Sequence, residues 1–262
     1  MNRLLYTLWN ISILLESLPI SSSGHLHLIK QLIKKKIRPN KPHVISSDIE
    51  HLMHIPNEFI IAAFLLYYGA GYFRTYTATD FTFFIGGICI ANLITGTLYL
   101  LLKSRNRFPL PLGFFISSCV LLSLYFIPHG SMVSVSFLQA AIIGFAQACA
   151  VLPGISRLAV TCCSGIWLGI DPTVSMLFSL ACEFALIIVA VGVALRSKSA
   201  RATLQPSVTQ CAGIVITSAI SFIGLLLVQE SFITNSAVFF GWYLLALSLL
   251  TSFLFFWSRY TK

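Results

Sequence analysis

Six stretches of this chain are each long and apolar enough to cross a lipid bilayer, at roughly 57–77, 81–102, 111–128, 173–195, 209–228 and 236–258. A hydrocarbon core of about 30 Å asks for about 20 consecutive apolar residues in a helix. This feature decides the solvent. With 57% hydrophobic and 10% charged residues, and a mean hydropathy of +0.87, the chain cannot cover a water-facing surface. Soluble domains carry about 25% charged residues. In lipid, every backbone polar group must be satisfied within the protein, so the spanning segments are expected to be helices. The chain reads as an all-α polytopic membrane protein.

Two other regions are apolar but broken. The first, about 1–29, contains Leu18-Pro19-Ile20-Ser21-Ser22-Ser23-Gly24-His25. The second, about 136–170, contains Leu152-Pro153-Gly154-Ile155-Ser156-Arg157 and is too long for one comfortable span. Loop charges decide how they lie. Lys30, Lys34, Lys35, Lys36, Arg38 and Lys41 precede the first full span, and Arg74 alone follows it. Then come Lys103, Arg105 and Arg107, no Lys or Arg around His129, a cluster of Arg196, Lys198 and Arg201, none around Glu230, and finally Arg259 and Lys262. If 136–170 enters and leaves on one side, the basic clusters share one face, as the positive-inside rule asks. If it crosses once, the pattern breaks. The expectation is therefore six transmembrane helices plus two opposed re-entrant helical hairpins. They form an inverted repeat within a single transmembrane domain, 1–262. In such folds the broken tips meet near the midplane and build the site.

The net charge of +9 is read as this orientation signal and not as a nucleic-acid surface. The N-terminal run after Arg3 is expected to be retained, because Asn10, Ser12 and Glu16 interrupt it and no small-residue cleavage site follows. The seven cysteines, Cys89, Cys119, Cys149, Cys162, Cys163, Cys182 and Cys211, lie in apolar runs without metal-like pairing and read as small packing residues.

The breaks carry the chemistry. Pro19 stops one half-helix, and Ser21, Ser22, Ser23 and Gly24 open the next, so free N–H groups and hydroxyls make an anion site. Ser22 and His25, three apart, can share a helix face as nucleophile and base. The bland alternative is that the serines form interhelical hydrogen bonds. Glu16 is an ionisable residue within an apolar stretch, which is costly and usually functional. At the second break, Gly154 allows close backbone approach, and Ser156, Arg157 and Thr161 follow. Arg157 needs an anionic partner; its planar fork suits a phosphate, while a simple ion pair with Glu16 is the alternative. Glu50 and His54, at i and i+4, are open to three readings: orienting His25, holding a metal, or forming a solvated interfacial face.

The run Glu16-Ser17-Leu18-Pro19-Ile20-Ser21-Ser22-Ser23-Gly24-His25 closely resembles the first signature of the bacterial undecaprenyl-diphosphatase family, the bacitracin-resistance phosphatases. Gly144-Phe145-Ala146-Gln147, continuing to Pro153-Gly154-Ile155-Ser156-Arg157 and Thr161, resembles the second. The resemblance implies hydrolysis of undecaprenyl diphosphate to the monophosphate carrier used in cell-wall synthesis, in the bacterial cytoplasmic (inner) membrane. It implies Ser22 as nucleophile and His25 as its base or acid. It also implies Arg157, with Ser156 and Thr161, as phosphate clamp, and Glu16 as ligand of a divalent cation, Mg or Ca, or as a group tuning the histidine. Membrane lipid, a polyprenyl diphosphate and a second copy of the chain are the implied partners, with no nucleic acid. The pattern departs from the family at Ser12 and Leu177, where a Glu is usual, and at Leu158-Ala159, where Ser-Gly is usual. A polyprenyl-phosphate transporter or flippase, or a weakly active relative, is the competing expectation, since an inverted repeat also suits alternating access.

Overall fold

The computed structural model describes residues 3–36, 47–74, 76–102, 108–128 and 130–260. The first broken region forms α1 (Arg3–Glu16) and α2 (Ser22–Lys36). The short α3 (Ser47–Met53) leads into α4 (Ile55–Phe73), followed by α5 (Ala78–Leu102) and α6 (Leu110–Leu122), which a 3-10 turn extends to Phe126. The second broken region forms α7 (Phe137–Cys149) and α8 (Arg157–Trp167). Then come α9 (Pro172–Ala194), α10 (Lys198–Thr203), α11 (Val208–Ile233) and α12 (Val238–Tyr260).

Among the described residues, five helical segments have the length and hydropathy of membrane spans: Ser47–Phe73, Ala78–Leu101, Pro172–Ala194, Val208–Ile233 and Val238–Phe256. The chain is thus a multi-pass membrane protein. The stretch expected at 111–128 is the shorter apolar segment Leu110–Phe126. Local chemistry sets the starts. Ser136 with Gln139 and Ser207 with Gln210 form capping boxes at α7 and α11. The Asp171 carboxylate accepts from the Thr173 and Val174 N–H groups ahead of α9, with Pro172 in the first turn.

The packing has an internal symmetry. α1 lies against α11 as α7 lies against α5; α4 packs on α9, and α6 on α12. α11 also contacts α4, as α5 contacts α9. Exchanging the halves (α1 for α7, α4 for α9, α5 for α11, α6 for α12) maps these contacts onto one another, as a structural repeat requires. Large apolar side chains such as Ile13, Phe64, Phe114, Leu121 and Phe232 fill the core where the halves meet.

The two broken tips touch. A Cβ on Gly24 would stand 3.1 Å from Gly154 Cα and 2.7 Å from the Phe114 ring. Cys162, Cys163 and Cys182 are buried packing residues, whereas Cys89, Cys119 and Cys211 are exposed on the helix bundle's outside. Arg38, Lys41, Lys103, Arg105, Arg107, His129 and Lys262, which the sidedness reading used, lie outside the described residues.

Candidate functional site

The first tip is built on one strained residue. Pro19 ends the α1 side of the turn, and Ser21 takes a positive φ of 65°, a conformation that non-glycine residues seldom adopt. The strain has a structural return. Ser21 Oγ accepts from the Gly24 N–H at 3.3 Å, capping α2, and the Ser21 carbonyl accepts from His25 Nδ1 at 2.9 Å. The hydroxyl of Ser23 is exposed and that of Ser22 partly so.

The second tip is stitched from within. Gly154, at φ 86°, turns the chain. The buried Ser117 Oγ of α6 accepts from the Ser156 N–H at 2.8 Å and donates to the Gly154 carbonyl at 3.1 Å. Ser156 Oγ accepts from the Ala159 N–H and caps α8. Arg157 is thereby the first residue of α8, with its side chain leaving the capped end.

A cavity of about 740 Å³ opens between the tips, within the range of small-molecule sites. Of the expected residues, Glu16, Ser21, Ser22, Ser23, Ser156, Arg157, Glu50 and His54 line it. Gly24, His25, Gly154 and Thr161 do not. Thr161 is fully buried; its hydroxyl donates to the Arg157 carbonyl at 2.8 Å and meets Ser179. Thr161 holds α8 to α9 instead of facing a phosphate. The expected Ser22–His25 pair is not formed among the described residues. His25 Nδ1 must carry the proton it gives to the Ser21 carbonyl, so Nε2 accepts from Tyr243 Oη at 2.8 Å. The ring lies parallel to Tyr243 of α12 and edge-on to Phe114. Of the three readings open for Glu50, the solvated face is the one that its position matches: it bridges to Lys30 Nζ at 2.5 Å at an exposed edge of the cavity.

Charge concentrates at the cavity wall. Glu16 Oε1 lies 3.4 Å from Arg157 Nη2; Oε2 accepts from Asn57 Nδ2 at 3.2 Å and lies 3.1 Å from His54 Nδ1. Arg157 Nη2 also donates to Glu183 of α9. The ion pair of Arg157 with Glu16, weighed from the sequence, is present, and a second carboxylate joins it. Sequence reasoning missed Glu183, Asn57 and the buried Glu58. Glu183 was within reach of the rule applied to Glu16, because it is the single charged residue of α9. Asn57 carries no such signal; only the packing of α4 on α1 brings it to Glu16.

The family described as bacitracin resistance protein BacA matches residues 11–250. The chain belongs to the BacA family. It is similar to an undecaprenyl-diphosphatase of Treponema denticola, 27% identical over 260 residues covering 94% of each chain. It is also similar to undecaprenyl-diphosphatases of Bacteroides thetaiotaomicron, 31% identical over 165 residues covering 60% of this chain and 61% of the relative, and of Bacteroides fragilis, 30% over 167 residues covering 60% of each. The positions where this BacA-family chain departs from the usual carboxylates fall in different places. Ser12 is buried on the cavity wall one turn before Glu16. Leu177 is buried in the apolar core.

The residues do not fit a preformed divalent-cation centre. Among the described residues, no three His, Cys, Asp or Glu side chains are placed to hold a metal ion. Both oxygens of Glu16 already have partners, and the Arg157 guanidinium supplies positive charge between Glu16 and Glu183.

Proposed function

We propose that this chain hydrolyses undecaprenyl diphosphate to undecaprenyl phosphate and inorganic phosphate in the bacterial cytoplasmic membrane. The reaction recycles the lipid carrier for peptidoglycan and other envelope polymers. It thereby confers resistance to bacitracin. One observation carries the reading: Ser22 and Ser23 of the first tip and Arg157 of the second line a single cavity. Membership of the BacA family and the names of the relatives agree with it.

In this mechanism the terminal phosphate enters between the tips. Ser22 Oγ attacks its phosphorus. Arg157 releases Glu16 or Glu183 and turns its donors to the equatorial oxygens; its buried Nε has no partner among the described residues. The charge on those oxygens is where electrostatic stabilisation counts most. The buried carboxylates keep the guanidinium in place between turnovers, since an unpaired Arg at this depth is costly. The apolar tail lies along the lipid-facing side. A divalent cation, Mg or Ca, enters this reading as a counter-ion of the diphosphate, and no step depends on it. Six crossings and two re-entrant hairpins remain the proposed topology, supported by the exchange symmetry of the packing and the touching tips.

Purified protein incubated with undecaprenyl diphosphate, with and without divalent cation, tests the reading. Release of inorganic phosphate is the expected result. Translocation of a polyprenyl phosphate across proteoliposomes without phosphate release would instead assign the chain to transport.

A further inference from the structure

We propose that the prenyl chain of the substrate leaves the phosphate end of the cavity through a groove between α5 and α9, past Gly96. The inference rests on the reading of the cavity as a polyprenyl-diphosphate site, and its test separates the two.

The two helices are tied at one level and line the cavity beyond the tie. Phe84 of α5 meets Phe178 of α9 edge-on, with ring centroids 5.4 Å apart. Further along both helices, Asn92 Nδ2 donates to the Cys182 carbonyl at 3.1 Å. Both contacts advance in the same sense along the chain, so the helices run side by side in one direction. Past the tie, each turns a stripe to the cavity. On α9 the stripe is Glu183, Leu186, Ile187 and Ala190, at i, i+3, i+4 and i+7, which share one helix face. It begins at the carboxylate that meets Arg157 and is apolar from there on. At 1.5 Å per residue it runs for about 10 Å. On α5, Thr95, Gly96 and Tyr99 line the same cavity, and Ala150 and Val151, just after α7, add apolar wall. Past Glu183, neither stripe carries a charge.

The edges of the groove merge into lipid-facing surface. Leu93 and Leu100, at i−3 and i+4 from Gly96, are exposed. Val189 and Val193, at i+3 and i+7 from Leu186, are exposed as well. On a spanning helix such side chains face hydrocarbon. A chain whose diphosphate is held at Arg157 therefore passes along apolar wall and into the bilayer without crossing a charged surface. Burying apolar surface along that path is favourable in proportion to its area. Gly96 keeps the path open. A Cβ on it would meet no atom within 4 Å, although the residue stands on the cavity wall. A larger side chain there would fill the groove and spare the helix packing. The groove holds the first part of the prenyl chain, and the remainder lies in the bilayer.

The first test is positional. Undecaprenyl diphosphate carrying a photoreactive diazirine on the isoprene units next to the diphosphate is irradiated with purified wild type, and the labelled peptides are mapped. Label on α5 around Gly96 and on α9 around Leu186 and Ala190 is expected. Label confined to other helices, or none, overturns the proposal. Wild type that takes up this label but releases no phosphate refutes the phosphatase reading and leaves the path standing. The second test is steady-state phosphate release by wild type, Gly96→Leu and Gly71→Leu, each checked by thermal melting. Gly71 of α4 is the control: a Cβ there also meets nothing within 4 Å, but the residue does not line the cavity. Gly96→Leu is expected to melt like wild type and to raise KM at least about tenfold, the scale of overfilling a site, with kcat within about threefold. Gly71→Leu is expected to leave both constants within about twofold, as a surface change away from the site does. A folded Gly96→Leu whose KM stays within about threefold of wild type overturns the proposal, as does an equal rise in Gly71→Leu.

Discussion

The two broken tips are built from similar letters, Leu-Pro followed by serine, and are used in opposite ways. At the first tip Ser21 is spent on the turn, while Ser22 is partly exposed and Ser23 exposed, and all three line the cavity. At the second tip the hydroxyls are consumed. Ser117 ties the turn, Ser156 caps α8, and Thr161 anchors to its own helix and to Ser179. Arg157 is the charged side chain that this tip sends to the cavity, and two carboxylates meet it. The lesson is a division of labour. In the proposed reaction the first tip is the source of the attacking hydroxyl and the second the source of the positive charge.

The sharpest way to break this comparison is at Arg157. Arg157→Lys keeps the charge but loses the planar fork, so it cannot meet two partners in one plane. We expect a loss of about 100- to 1,000-fold in phosphate release, the scale of removing a transition-state donor. Near-normal turnover by the Lys variant would make the second tip purely structural.

Ser117→Ala tests whether the second tip is a bonded scaffold. It leaves the Ser156 N–H and the Gly154 carbonyl without their shared partner, at a cost of about 1–3 kcal/mol. Thermal melting in detergent should fall accordingly, whereas an unchanged melt would show that the stitch is dispensable. Ser156→Ala removes the α8 cap, for about 0.5–2 kcal/mol. Ser23→Ala at the first tip removes an exposed hydroxyl and should shift stability by less than about 0.5 kcal/mol. If Ser23→Ala destabilised as much as Ser117→Ala, the contrast between the tips would be lost.

Five of the six expected spans and both breaks were legible in the sequence because apolar length and a Pro within an apolar run leave local marks. The touching tips followed from the opposed-hairpin reading. Side-chain direction was harder. The Ser22–His25 spacing is right for a shared face, yet His25 is claimed by Tyr243, 218 residues away, which no local pattern announces. Thr161 reads like Ser156 in the motif, but the packing of α8 on α9 buries it. Glu183 was visible as a lone charge in an apolar helix. Its partnership with Arg157 depends on α8 and α9 lying side by side.

The central claim, that the first tip carries the reacting hydroxyl and the second the binding charge, is tested most directly by Ser22→Ala, with phosphate release and lipid-diphosphate binding measured on the same purified sample. The account predicts turnover reduced to about a per cent or less by the loss of the covalent step, with binding largely intact, because Arg157 and the cavity wall are untouched. A Ser22→Ala protein that keeps a large fraction of wild-type turnover would contradict it and leave Ser22 as a phosphate ligand only.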